Sequence, residues 1–304
     1  MKNLYDIFIQ SSIDIIKPTV SEIEFADKKI KEDLKNYVKN ANLKSLVIGI
    51  SGGLDSAIVA AQAREVCDDL NIKLLGVSIP ISSSNIHKEQ AAYIGNKYCH
   101  AFEEINDWES KDIHVFNEVE TVINQTDRIA QKAGFNSALF DNRVAQGNIK
   151  ARMRMTTLYR LAGVTNGAVL STDNFSEYFL GFWTINGDVG DISPIQFVEK
   201  GTEEIELAKY LDIREDIIFQ KPSDGLNVSD EDTDEAQLGL SYKEIGPIMF
   251  AYMNMLPEEQ IKMFNEIKKM DKVKSIIERH EKTSYKRNGP YFIKREKNGF
   301  PIRF

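Results

Sequence analysis

Two hydrophobic periods run through this chain, and they take turns. Short segments at Ser45–Ile50, Lys73–Ile79, His100–Ile105 and Gly167–Leu170 read as strands. Around them apolar residues recur at helical spacing, which predicts amphipathic helices at about residues 3–16, 21–40, 54–70, 85–98, 112–133, 144–162, 200–210 and 257–281. Leu4, Ile7, Phe8 and Ile15 mark the first helix, and Ile58, Ala61, Val66 and Leu70 line one face of the third. Ser21 followed by Glu24 predicts a capping box on the second. Strands alternating with helices imply right-handed crossovers and a parallel α/β sheet. In such a sheet ligands sit beyond the carboxyl ends of the strands.

At the end of the first strand the pattern switches to helix through Ser51-Gly-Gly-Leu-Asp-Ser56. Strand, glycine turn and helix start form a cradle for phosphate. The turn leaves N–H groups unpaired, glycine lets the backbone come close, and the helix dipole favours an anion. The turn Ser51-Gly52-Gly53 is therefore the candidate phosphate cradle, with Ser51 and Ser56 offering hydroxyls. Asp55 would repel a phosphate unless a cation stood between them, which points to Mg²⁺. No lysine follows the glycines, so this is not the common P-loop.

The last strand ends in a similar way, in Ser171-Thr-Asp-Asn-Phe-Ser-Glu177. Thr172 can meet the nucleotide, and Glu177, early in a short helix, can give Mg²⁺ a second oxygen ligand. The glycine-, aspartate- and aromatic-rich stretch from Gly181 to Pro194 reads as a substrate loop. Ser82–Ser84, after the second strand, is either a rest for adenosine or an ordinary polar loop. Lys150, Arg152, Arg154 and Arg160 crowd one helix, where a solvated face is the simplest reading of each. The acidic run at 229–235 reads as a surface loop.

Composition narrows the class. At 42% hydrophobic, the 304 residues can bury a real core. A net charge of −8, with only the C-terminal end locally basic, speaks against a nucleic-acid partner. Cys67 and Cys99 form no C-x-x-C, so zinc, iron–sulfur and disulfide frameworks are not expected. No apolar run approaches a membrane span, and charge interrupts the N-terminus early, so a cytoplasmic protein is expected. One domain is expected over 1–304: N-terminal helices to 44, a nucleotide-binding core over 45–225, and an acidic loop with a helical segment over 226–304.

The loop Ser-Gly-Gly-x-Asp-Ser resembles the pyrophosphate loop of the N-type ATP pyrophosphatases, which cleave ATP between its α- and β-phosphates. Taken with other motifs, the chain resembles the ammonia-using NAD synthetases from about Ser21 to Pro290. The carriers are Gly49–Ser56, Asn148–Arg152, Ser171–Glu177, Gly181–Thr184, Gly187-Asp188, Asp191–Ile195, Pro222-Ser223, Asp234-Glu235, Leu238-Gly239 and Thr283–Pro290. The resemblance implies a doubly wound, Rossmann-like α/β sheet of the adenine-nucleotide alpha hydrolase type. It implies ATP-dependent adenylation of deamido-NAD, then displacement of AMP by ammonia. By position, Gly49, Ile50, Ser51, Gly52, Gly53, Leu54, Asp55 and Ser56 would hold the ATP phosphates, and Thr172, Lys200 and Ser223 would complete the ATP site, with Asp55 and Lys200 catalytic and Asp55 and Glu177 on Mg²⁺. Arg152, Asp191, Tyr285 and Lys286 would face deamido-NAD. A homodimer would place the dinucleotide near the subunit interface. A glutamine-using relative needs a glutaminase region with its own cysteine, and the residues before the first strand hold none.

Three positions depart from the family pattern, all on the dinucleotide side. Ile185 stands where a lysine is usual, the Gly187-Asp-Val-Gly190 loop is one residue short, and Tyr285 replaces the histidine of a His-Lys pair. Two other readings follow: an adenylating enzyme that amidates a different carboxylate, and a nucleotide-binding regulator without turnover.

Overall fold

The structure is a computed structural model that describes residues 3–81, 83–106, 108, 115–136, 142–223, 233–289, 296–297 and 300–301. Two helices lead, α1 (Leu4–Ile16) and α2 (Val20–Asn40). The core follows as β1 (Ser45–Gly49), α3 (Leu54–Leu70), β2 (Lys73–Ser78), α4 (Asn85–Tyr98) and β3 (Ala101–Glu104). Then come α5 (Val115–Asn124), α6 (Asp127–Lys132), α7 (Asn142–Thr165) and β4 (Gly167–Leu170). The remainder is helical: α8 (Phe175–Leu180), α9 (Glu203–Tyr210), α10 (Glu215–Ile218), α11 (Asp234–Leu238), α12 (Tyr242–Tyr252), α13 (Glu258–Ile267), α14 (Asp271–Lys282) and α15 (Ser284–Arg287). A small antiparallel pair, β5 (Glu296–Lys297) and β6 (Phe300–Pro301), ends it.

The main sheet is parallel in the order β3-β2-β1-β4. Alternation along β1 decides what each face holds. Leu46, Ile48 and Ile50 point into one core with α2, α3, α4 and α9, while Val47 meets Met155, Leu158 and Ala162 of α7 on the other. The chain therefore winds from β1 outward to β3, then crosses to the other side of β1 to lay down β4. The switch in strand order falls between β1 and β4, where an open α/β sheet has its ligand crevice. A separate cluster joins Phe8 of α1 to Ile245, Ile248, Phe264 and Ile276 of α12, α13 and α14.

Four local expectations are corrected. The second helix is capped by Thr19, not Ser21: Thr19 Oγ1 accepts from Glu22 N–H, and Glu22 accepts from Thr19 N–H at 2.7 Å. Starting there also closes the Ile23 N–H to Thr19 carbonyl bond. The helix expected over 112–133 breaks at Gln125–Thr126, where the Thr126 hydroxyl donates to the Ile123 carbonyl at 2.8 Å; residues 112–114 lie outside the described residues. The helix expected over 257–281 is two, parted at Lys268–Met270. Helix α12 was not foreseen. It is buried on nearly every side, so it shows no polar stripe to reveal its period.

Candidate active site

The phosphate loop lies at the carboxyl end of β1. Gly52 has φ +90°, and a Cβ there would stand 2.3 Å from the His87 carbonyl oxygen, so the turn is pressed against the first turn of α4. Ser51 Oγ accepts from Gly53 N–H and donates to Ser56 Oγ, both at 3.2 Å, and Ser56 Oγ donates to the Gly53 carbonyl at 2.9 Å. Ser56 is buried and braces the turn from inside. Like α6, α9, α10, α13 and α14, α3 has no side-chain cap. Its N-terminal N–H groups are left for a ligand, the arrangement that binds phosphate.

A cleft opens there, lined by Gly49, Ile50, Ser51, Gly53, Asp55, Thr172, Glu177, Lys200 and Ser223. Leu54 lines an adjoining cavity that shares Ser51, Gly53, Asp55 and Lys200 with the first. Gly52 lines neither cavity and shapes the turn from its α4 side. Residues from four places converge around the Lys200 ammonium. Its Nζ lies 3.1 Å from Asp55 Oδ2 at the start of α3, 2.7 Å from Glu177 Oε1 in α8, and 3.9 Å from Asp234 Oδ2 at the start of α11. The ring of Tyr242 in α12 lies 4.8 Å beneath it. Asn174 caps α8 and donates to Asp55 Oδ1 at 2.7 Å, which ties the two strand ends together.

One cation cannot balance this group. Burial alone would strip the Lys200 ammonium of its proton, but Asp55 and Glu177 outweigh it and hold the pKa well above the ordinary value. Burial also opposes the charge on Asp55; Lys200 overcomes that and keeps its pKa low. Burial pushes Glu177 up to about 8, with Lys200 pulling against and the charges of Asp55 and Asp234 adding. Glu204, fully buried close by, is raised well above the ordinary carboxylate value by burial and by its neighbour Asp55. The site is thus short of positive charge.

Among the described residues no three acidic, histidine or cysteine side chains already stand as a metal cage. Mg²⁺ does not require one: it takes one or two carboxylates and completes its shell with phosphate oxygens and water. Asp55 and Glu177 already point at a single positive charge, and they fit that need.

The cleft also holds Arg154, which the sequence reading set on a solvated face, and Asp173, to which it gave no role. Arg154 lines the cleft and donates to the carbonyls of Ile79 and Ile81, at 3.1 and 3.2 Å, which fixes the exit from β2. Its position beside Met155, on the sheet side of α7, was the available signal. Asp173 lines the cleft and is 5% exposed. Burial pushes it up to about 7, with Asp188 and Asp55 adding. Ser83 lines the cleft and Ser84 caps α4; Ser82 lies outside the described residues.

The residues expected to face the dinucleotide are not among those lining the two cavities, though Lys286 bonds Trp183, which lines the cleft. Arg152 Nε donates to the Ile185 carbonyl at 3.2 Å. Asp191 accepts from Val169 N–H at 2.9 Å and from the Tyr159 hydroxyl at 3.0 Å, at the edge of β4. Lys286 Nζ donates to the Gly181 and Trp183 carbonyls at 2.8 and 2.5 Å, and Tyr285 is exposed. Phe182, Trp183, Gly187 and Asp188 of the expected substrate loop do line the cleft.

Fold and site together define a doubly wound α/β nucleotide-binding protein with a lysine–carboxylate cluster beside its phosphate loop. The family model described as NAD synthase matches residues 27–290. An NH(3)-dependent NAD(+) synthetase of Alkaliphilus oremlandii is 33% identical over 269 residues, 86% of this chain and 94% of that protein. One from Methanosarcina acetivorans is 30% identical over 272 residues, 88% and 97% of the two chains. The chain belongs to the NAD synthase family. Among solved structures, NMN synthetase from Francisella tularensis and NH3-dependent NAD synthetase from Campylobacter jejuni each superpose with a TM-score of 0.66 at 24% identity. They cover 87% and 89% of this chain and 95% and 99% of their own, and agree in fold.

Proposed function

We infer that this protein converts deamido-NAD to NAD with ATP and ammonia, releasing AMP and pyrophosphate. The observation that carries the reading is the Lys200–Asp55–Glu177 cluster beside an uncapped helix start, in a chain of the NAD synthase family. The nicotinate carboxylate attacks the α-phosphorus of ATP, and the bond to the β-phosphate oxygen breaks. Ammonia then adds to the acyl carbon, AMP leaves, and the surplus ammonium proton passes to solvent. Charge builds on the departing pyrophosphate, where the N–H groups at the start of α3 and the Lys200 ammonium can meet it. Asp55 and Glu177 would hold Mg²⁺, whose charge offsets that of the phosphates when bound. Arg154, Thr172 and Ser223 serve the ATP side of the same cleft.

Ammonia as the nitrogen donor follows the relatives' names, NH(3)-dependent synthetases that this chain nearly spans. We also propose a homodimer. Val122, Ile129, Phe135, Val144 and Val164 stay exposed on α5, α6, α7 and the turn after α6, apolar groups that a twofold copy would cover. Among the described residues no helix is long and apolar enough to cross a membrane.

The test is pyrophosphate release with ATP, Mg²⁺ and ammonium, with and without deamido-NAD, beside a panel of other carboxylates. Release that depends on deamido-NAD and is abolished in Asp55→Asn and Glu177→Gln, both folded, is the expected result. Near-normal turnover in both variants would remove the assignment. Release driven only by another carboxylate would replace the acceptor. Light scattering at micromolar concentration should report a dimer.

A further inference from the structure

We propose that Lys200 is an exchangeable cation: it holds the Asp55–Glu177 pair until a metal arrives, and Asp234, backed by Tyr242, is built to receive it afterwards. The idea rests on the metal reading of Asp55 and Glu177 given above. A Mg²⁺ ion bonds carboxylate oxygens at about 2.0–2.1 Å. Lys200 Nζ now lies 3.1 and 2.7 Å from Asp55 Oδ2 and Glu177 Oε1, the pair of oxygens that such an ion would share. Two cations cannot occupy that space, so the ammonium must move when the ion enters.

The structure offers it one short step. Asp234 Oδ2 lies 3.9 Å from Nζ, and a shift of about 1 Å brings the two to ordinary charge-assisted hydrogen-bond distance. The Tyr242 hydroxyl donates to that same oxygen at 2.9 Å and so fixes it in place. The Tyr242 ring lies 4.8 Å from Nζ, within cation–π range, and gives the ammonium an electron-rich floor along the path. Asp234 and Tyr242 are 2% and 3% exposed, so both are held in fixed positions beside the ammonium. They belong to α11 and α12, elements that supply neither Asp55 nor Glu177. A lysine whose only task was to neutralise Asp55 and Glu177 would need no third carboxylate beside it.

The assay is metal binding to the nucleotide-free protein, with Mn²⁺ followed by electron paramagnetic resonance and Mg²⁺ by calorimetry. Neither readout depends on turnover. Asp234→Asn keeps the shape of the side chain and removes the receiver, so metal affinity should fall roughly tenfold, the usual effect of losing a hydrogen bond to a charged group. Tyr242→Phe should lower it less. Lys200→Met removes the competitor, and metal should bind more tightly than to wild type. In the double variant Lys200→Met/Asp234→Asn, affinity should match Lys200→Met alone, because no lysine remains to be received.

If Asp234→Asn binds metal as wild type does, the exchange is refuted, even should Lys200→Met fail to fold. A folded Lys200→Met that binds metal no more tightly refutes it equally. In both cases loss of binding in Asp55→Asn would still uphold the metal site. Metal binding that Asp55→Asn leaves unchanged refutes the metal reading and the exchange with it.

Discussion

Gly52→Ala tests how far the phosphate loop depends on its backbone. At φ +90° an added Cβ would meet the His87 carbonyl oxygen at 2.3 Å and the Ala91 nitrogen at 3.2 Å. Both contacts are backbone, so no side chain can swing aside, and reaching an ordinary contact of 3.4 Å requires a displacement of about 1 Å. A non-glycine residue in a left-handed conformation costs about 1–2 kcal/mol, and forcing extra bulk into a packed site typically about 1–3 kcal/mol. The variant should therefore lose about 2–5 kcal/mol, a drop in Tm of at least about 3 °C for a chain of this size. The displaced loop also carries Ser51 and Gly53 away from the cleft, and misplacement of about 1 Å can cost on the order of a hundredfold in rate. Denaturation and calorimetric ATP titration should show both losses together. Unchanged Tm and ATP affinity in Gly52→Ala would mean that the turn does not need its left-handed residue.

The other predictions concern pH and the acceptor. The Asp173 carboxyl, raised to about 7 from an ordinary 3.8, binds a proton more tightly in the folded chain, so its burden on stability is absent below 3.8, grows as pH rises toward about 7 and is complete above it. Asp173→Asn should then melt higher than wild type above pH 7, by at most about 4 kcal/mol. The difference should close toward pH 4, whereas parallel melting curves would discard the reasoning. Ile185→Lys restores the cation usual in the family at a residue 39% exposed. It should lower KM for deamido-NAD roughly tenfold and leave KM for ATP alone. No gain in deamido-NAD binding would mean that the acceptor side has been rebuilt around Arg152 and the Ile185 carbonyl.

What the sequence determined by itself was local. Strand, glycine turn and helix start are written in consecutive residues from Leu46 to Ser56, because apolar period, φ > 0 tolerance and helix initiation each need only a few neighbours. The strand ends at Ser51 and Ser171 were legible for the same reason, and a parallel sheet then had to bring such ends to one edge. Two competing caps at Thr19 and Ser21, by contrast, satisfy the same rule, and the extra backbone bond from Ile23 decided between them. Helix α12 was hidden because burial on all sides erases the polar half of its period. The resemblance named Asp55, Glu177 and Lys200, but their meeting point, with Asp234 and Tyr242 beside it, was decided by tertiary structure. Lys200 meets Asp55 across 145 residues of chain, and Tyr242 and Asp234 reach it from separate helices. Arg152, Asp191 and Lys286 carry the residue types expected of a substrate site, yet their polar atoms bond backbone carbonyls, a backbone amide and a tyrosine hydroxyl. Residue type sets what a side chain can bond, and only the fold sets which groups come within 3 Å of it.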